Sequence, residues 1–286
     1  MDFSPITKRI EMIKKVLTAE PVIEGAGVKL KRVFGFYEKG EFDPFLLFDH
    51  FGSPNPDDYM LGFPWHPHRG METVTYMLEG SVEHADSLGN KGIINNGDVQ
   101  WMTAGSGIIH QEMPLKYDGE LQGFQLWVNL PQRLKMTEPK YRDITADKIP
   151  VYKENDNVSL KLISGNYKKV TGAVNDLGIE VIYFDINISN SDTFKYNPNP
   201  EYNVFAYIYD GELSFEGHDQ VYTRNQLVLF NQGDEIKAKA KGSAKFLFIG
   251  GKPLKQPIAW QGPIVMNTPE ELHLAFEEYR NGTFIK

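Results

Sequence analysis

The chain has 286 residues, 41% hydrophobic and 24% charged, a formal net charge of -8 and a sequence pI near 5.4. That length suits two globular domains, and the acidic balance leaves no basic footprint for phosphate, so direct nucleic-acid binding is disfavoured. With no cysteine there is no disulfide, thiolate nucleophile or Cys-ligated cluster, so any metal must be held by His and carboxylate.

In chain order, the start Met1-Asp2-Phe3-Ser4-Pro5 lacks the layout of a signal peptide, and no apolar run approaches membrane-spanning length. A cytoplasmic protein without a membrane partner is expected. Ile6, Ile10, Ile13 and Leu17 have helical spacing and predict an N-terminal helix. Short β-branched or aromatic runs then predict strands around Val74 to Leu78, Phe124 to Asn129, Val181 to Ile188, Val204 to Tyr209, Leu227 to Phe230 and Lys245 to Ile249. Turn signals flank them, including Glu79-Gly80, Asn96-Gly97-Asp98 and Asp210-Gly211. The polar stretch Pro131 to Pro150 reads as a connector, and the domains are placed at 1–135 and 136–286. Near the end, Thr268 as N-cap, Pro269 and Glu271 open a helix whose apolar stripe is Leu272, Ala275, Phe276 and Tyr279, closed by Asn281-Gly282. That stripe is expected to dock on its own domain.

The chemistry concentrates in His66-Pro67-His68 and His110-Gln111-Glu112. Residues two apart on a strand face the same side, so two such strands aim three imidazoles and a carboxylate at one point. A lone strand histidine is more often a hydrogen-bonded structural residue; two pairs at matching parity shift the reading to a metal site. Gly105-Ser106-Gly107 precedes a strand and reads as a turn, not a phosphate cradle. Glu72 shares strand parity with His66 and is expected to hydrogen-bond behind the ligands, and His50 is a weaker candidate for the same role. His84, His218 and His273 are expected to face solvent. Trp65, Trp101, Met102, Met113 and Phe51 read chiefly as barrel core, some lining a pocket for a planar aromatic molecule.

A degenerate repeat lays His66-Pro67-His68 and Glu79-Gly80 over Asn197-Pro198-Asn199 and Asp210-Gly211. With a gap, His110 falls on Lys237 and Glu112 on Lys239. Asn and Lys are poor transition-metal ligands, so metal is expected only in the first copy.

Three segments, His66 to Tyr76, Gly97 to Gly105 and His110 to Pro114, resemble the signature of pirins. Asp43 to Asp49, Gln125 to Pro131 and Gly262 to Thr268 extend the likeness over nearly the whole chain. The resemblance implies an all-β bicupin: two double-stranded β-helix (jelly-roll) barrels with a C-terminal helix, and His66, His68, His110 and Glu112 as ligands of one iron. It implies a quercetin 2,3-dioxygenase-type enzyme that opens a flavonol with release of CO, taking dioxygen and a small aromatic substrate; a monomer is expected, and Glu112, by shifting off the metal, is expected to act as the catalytic base. The alternative it carries is an iron-dependent redox or ligand sensor that regulates a protein partner. Three imidazoles and one carboxylate suit Fe(II), and the same set also accepts Zn, Ni, Cu or Mn.

Overall fold

The computed structural model describes residues 12–233 and 235–286. Two antiparallel sheets of matching order dominate it. The first runs Lys140–Ile144, Val99–Thr103, Met71–Glu79, Leu121–Asn129, Phe45–Ser53, Val28–Phe34, Glu20–Glu24. The second runs Ile13–Thr18, Gln226–Phe230, Asn203–Phe215, Ile236–Gly251, Val181–Ile188, Val158–Ser164, Val151–Lys153. Each is closed into a barrel by a smaller layer. In the first barrel that layer is Phe63–His68, Ile108–Pro114, Val82–Asp86 and Lys91–Ile94. In the second, two long strands run through both layers, and Thr193–Tyr196 joins the start of Ile236–Gly251. Every segment expected to be a strand is one.

The acid-Gly of the repeat marks where the chain bends between layers. Gly80 ends its strand with φ +85, whereas Gly211, φ +73, sits in a bulge within a continuous strand. A Cβ on Gly211 would lie 2.1 Å from the Ser243 carbonyl oxygen, so both backbone conformation and space require glycine. Asp210-Gly211 therefore bends a strand instead of ending it.

The two large sheets pack face to face. Phe45, Phe48, Tyr76 and Phe124 of the first meet Phe205, Tyr207 and Tyr209 of the second in one continuous core, with Phe48 and Tyr207 rings 5.1 Å apart, edge to face.

The termini cross over. Ile13–Thr18 pairs with Gln226–Phe230, adding an edge strand to the second barrel. This corrects the expected helix: Ile13 and Leu17 lie on a strand, because β-branched Ile13 and Val16 find a ladder partner there. Ile6 and Ile10 lie outside the described residues. Lys140–Ile144, inside the expected connector, pairs with Val99–Thr103, so hydrogen bonding crosses residues 135/136 in both directions.

The C-terminal helix spans Pro269–Arg280, with Thr268 as N-cap and the reciprocal bonds of Glu271 in place. Its apolar face packs not on the second barrel but on the first, where Ala275, Leu272 and Phe276 meet Ile109, Met266 and Phe284. A buried guanidinium fixes it. Arg69 donates to Glu278 at 2.6 Å and to the Phe284 carbonyl at 2.8 Å, and lies 4.1 Å from the centre of the Phe284 ring. Among the described residues no helix is long and apolar enough to cross a membrane.

Candidate metal centre

Phe63–His68 is the edge strand of the small sheet, which is why it tolerates Pro64 and Pro67, residues without an N–H for the ladder. It pairs with Ile108–Pro114 so that His110 stands opposite His66 and Ile108 opposite His68. The three imidazoles converge: His66 Nε2 lies 3.1 Å from His68 Nε2 and 3.0 Å from His110 Nε2. Their donor atoms all lie within 4.8 Å of one another.

The outer nitrogens set what the inner ones can do. His66 Nδ1 meets the Pro64 carbonyl at 2.9 Å and His68 Nδ1 the Pro263 carbonyl at 3.2 Å. A carbonyl only accepts, so each Nδ1 carries a proton, and in the neutral ring each Nε2 presents a bare lone pair. Two lone pairs 3.1 Å apart cannot hydrogen-bond to each other. A cation shared between them resolves the contact, and about 3 Å is the spacing of neighbouring nitrogens about 2.1 Å from one ion at right angles. His110 Nδ1 meets the Tyr141 hydroxyl at 3.3 Å, the same outer support by a different group. Burial pushes His68 and His110 well below the ordinary imidazole range, and the neighbouring imidazoles push the same way, which keeps them neutral and ready to ligate. The residues fit a metal ion.

Glu112 lies beyond that cluster. The register slips between His110 and Glu112, which places Glu112 opposite Phe63. Its Oε1 accepts from Thr75 Oγ1 at 2.9 Å and from Gln125 Nε2 at 3.3 Å. It thus bridges the small sheet to the large one across a cavity of about 580 Å³. His66, His68, Glu112, Thr75, Gln125 and Trp127 line one part of that cavity, and Phe51, Leu47, Phe63 and Trp260 give it apolar walls. The His68 and Trp127 rings meet edge to face, 5.2 Å between centres.

Comparison with known proteins identifies the family and the fold. The Pirin family model matches residues 27–128 and the Pirin C-terminal cupin domain model residues 183–285. The chain belongs to the pirin family. A Pseudomonas aeruginosa protein provisionally named quercetin 2,3-dioxygenase is 41% identical over 96% of this chain and 98% of its own. A crystal structure of quercetin 2,3-dioxygenase from Acinetobacter baumannii is 30% identical, with TM-score 0.88, covering 96% of this chain and 98% of that one. A nickel(II) complex of the Escherichia coli pirin YhhW, 20% identical with TM-score 0.66 over 84% of this chain and 98% of that one, shares the fold. The architecture is that of two cupin barrels with one short C-terminal helix.

In this pirin several expected neighbours of the site lie elsewhere. Glu72 is buried on the opposite face of its strand, accepting from Thr103 Oγ1 at 2.6 Å and Trp101 Nε1 at 2.9 Å. Strand parity does not carry from His66 to Glu72, because the chain breaks at Arg69-Gly70, where Gly70 has φ +75 and a Cβ would sit 2.0 Å from the Val265 carbonyl. Burial pushes the Glu72 carboxyl up. His50 faces the core between the barrels, bonded to Tyr207 and Gln122. His84 is buried, not solvent-facing: its ring stacks on Tyr141 and its Nε2 lies 3.6 Å from Asp143. Gly92 makes room for it, since a Cβ there would lie 2.6 Å from His84 Nε2. His273 is exposed and His218 partly so. Of the five flanking apolar residues only Phe51 lines the cavity; Trp101 and Met102 are core and Trp65 is half exposed.

Two contributions were not read from the sequence. Gln125 and Trp127 alternate inward on Leu121–Asn129, a period-2 signal that could have placed them. Pro263 and Trp260 come from the crossed-over tail, and nothing local in the sequence indicates where that tail docks.

Proposed function

We propose that this pirin is a metal-dependent dioxygenase, with His66, His68 and His110 holding Fe(II) and a flavonol such as quercetin as substrate. The observation that supports this most is the pair of bare Nε2 atoms of His66 and His68, locked by carbonyls and open to the cavity. A bound iron would supply Lewis acidity toward the enolic oxygen of the substrate and one-electron chemistry toward dioxygen. Zn, Ni, Cu or Mn would fit the same donors, and nickel(II) is the ion in the Escherichia coli pirin complex.

The chain's own residues do the rest. Trp127, Phe51, Leu47 and Trp260 give the cavity flat apolar walls that suit a planar aromatic molecule and exclude water. Glu112, held by Thr75 and Gln125 on the cavity side of the histidines, takes the enolic proton of the substrate, and it would be the carboxylate available to a bound ion as a fourth donor. The net reaction adds both atoms of dioxygen to the flavonol, cleaves its heterocycle and releases one carbon as CO. The test is anaerobic loading with Fe(II), then oxygen and quercetin, following loss of flavonol absorbance and release of CO. Turnover well above free iron is expected. Stoichiometric iron with no turnover contradicts the enzyme and favours the sensor, whose affinity for a protein partner would change with iron oxidation state.

A further inference from the structure

One polar row crosses the floor of the cavity. Thr75, Gln125, Asp49 and Arg32 stand directly opposite one another on four neighbouring strands. Beside Gln125 and Asp49 the neighbouring positions carry no polar side chain: Leu47 opposite Trp127 makes one flank, and Phe51 opposite Gly123 the other. The row begins under Glu112, which Thr75 and Gln125 hold, and runs on to Asp49 and Arg32. At about 4.8 Å per strand, Asp49 lies one strand and Arg32 two strands beyond Gln125, roughly 5–10 Å along the floor.

The far end is a built recognition group. Arg32 donates Nε to Asp49 Oδ1 at 2.9 Å, Nη2 to Asp49 Oδ2 at 2.8 Å, and Nη1 to Glu24 Oε1 at 2.7 Å. Asp49 is buried, and all three side chains line the cavity. A guanidinium has five N–H donors, so two remain, and each Asp49 oxygen keeps a lone pair. Two carboxylates against one guanidinium leave the group net negative, which disfavours an anionic ligand. The nearby Lys29 is already paired with Asp58 at 2.8 Å. What this end can satisfy is a neutral partner that both donates and accepts, such as two adjacent phenolic hydroxyls.

The geometry points to Arg32 and Asp49 as specificity-determining residues that select a flavonol whose pendant ring carries vicinal hydroxyls. This rests on the function proposed above, with the enolic end of the substrate at Glu112 and the pendant ring lying along the row. One hydroxyl donates to Asp49 while its neighbour accepts from Arg32. A flavonol with an unsubstituted pendant ring leaves both groups short of partners, and a site built for hydroxyls rejects such an analogue.

The test uses the full metal-loaded chain and two probes, quercetin and the flavonol with an unsubstituted pendant ring, measuring binding by calorimetry and turnover separately. Wild type should bind quercetin about tenfold or more tightly than the unsubstituted flavonol. The paired variant Arg32→Met, Asp49→Leu replaces a salt bridge by apolar side chains, a change that folds tolerate, and should bring that ratio close to one. Asp49→Asn, which keeps the shape, should lower the ratio in the same direction. An unchanged ratio in both variants, or no preference in wild type, overturns the inference while the dioxygenase reading stands. A preference lost in the variants without any turnover in wild type supports the inference and overturns the dioxygenase reading. Failure of both probes to bind overturns both.

Discussion

The two barrels share one strand order and differ in what two small strands project inward. In the first, Phe63–His68 and Ile108–Pro114 turn His66, His68 and His110 toward one another, with His66 and His68 lining the cavity. In the second, Thr193–Tyr196 and the start of Ile236–Gly251 occupy the corresponding place, and their inward residues are Phe194, Tyr196, Ile236 and Ala238. Tyr167, Phe184 and Phe248 close around them, with Tyr196 and Phe248 rings 5.4 Å apart. One interior holds nitrogen donors around a cavity; the other is packed aromatic core. The scaffold supplies aim, and residue choice on the two strands decides between binding and packing.

The same contrast corrects the repeat alignment. Lys237 and Lys239 are not the inward counterparts of His110 and Glu112. They point outward, Lys237 pairing with Glu216 at 2.5 Å and Glu235 at 3.0 Å, while buried Ala238 stands between them. Asn197 and Asn199 follow the end of Thr193–Tyr196 and lie off the strand. A one-residue error flips every side chain to the other face.

Changes in either barrel have ranked consequences. Glu112→Gln in the first barrel should lower quercetin turnover by about 10²–10⁴-fold, as expected for loss of a general base, while the histidines still bind metal; steady-state rates beside elemental analysis check both. Phe194→Ala in the second barrel should cost about 3–5 kcal/mol by opening a cavity in packed core. Denaturant unfolding measures that, and metal content should not change.

A smaller effect lies between the barrels. Burial pushes His50 down to about 3, and the cationic Lys31 and Arg224 push the same way. The folded state therefore keeps His50 neutral where the unfolded chain protonates it. The stability this provides is complete above pH 6.5 and is lost as pH falls toward 3, at no more than about 1.4 kcal/mol per pH unit. Melting temperature against pH should fall less steeply on the acid side for His50→Gln than for wild type. The smallest effect is a null one. The pair Lys237→His, Lys239→Glu should gain no metal, since both side chains face outward; a second equivalent of bound ion would restore the sequence-based overlay.

Much of the site was legible because it is local. His66 with His68, and His110 with Glu112, need only strand parity, and the helix at Pro269 needs only its cap. What escaped depends on pairing between distant segments. The polar row through Thr75, Gln125, Asp49 and Arg32 exists only once four strands are in register. Glu72 was misplaced by a break at one glycine, and the hold of Thr75 and Gln125 on Glu112 joins strands of two different sheets. The tail that brings Pro263 to His68 crosses 195 residues of sequence to do so.

The most direct measurement is the metal content of the intact chain after reconstitution, with X-ray absorption at the metal edge. The account predicts one ion per chain with three imidazole nitrogens about 2.1 Å away, and none in His66→Ala or His110→Ala. Wild type that holds no ion, or holds it equally well without those histidines, would contradict it.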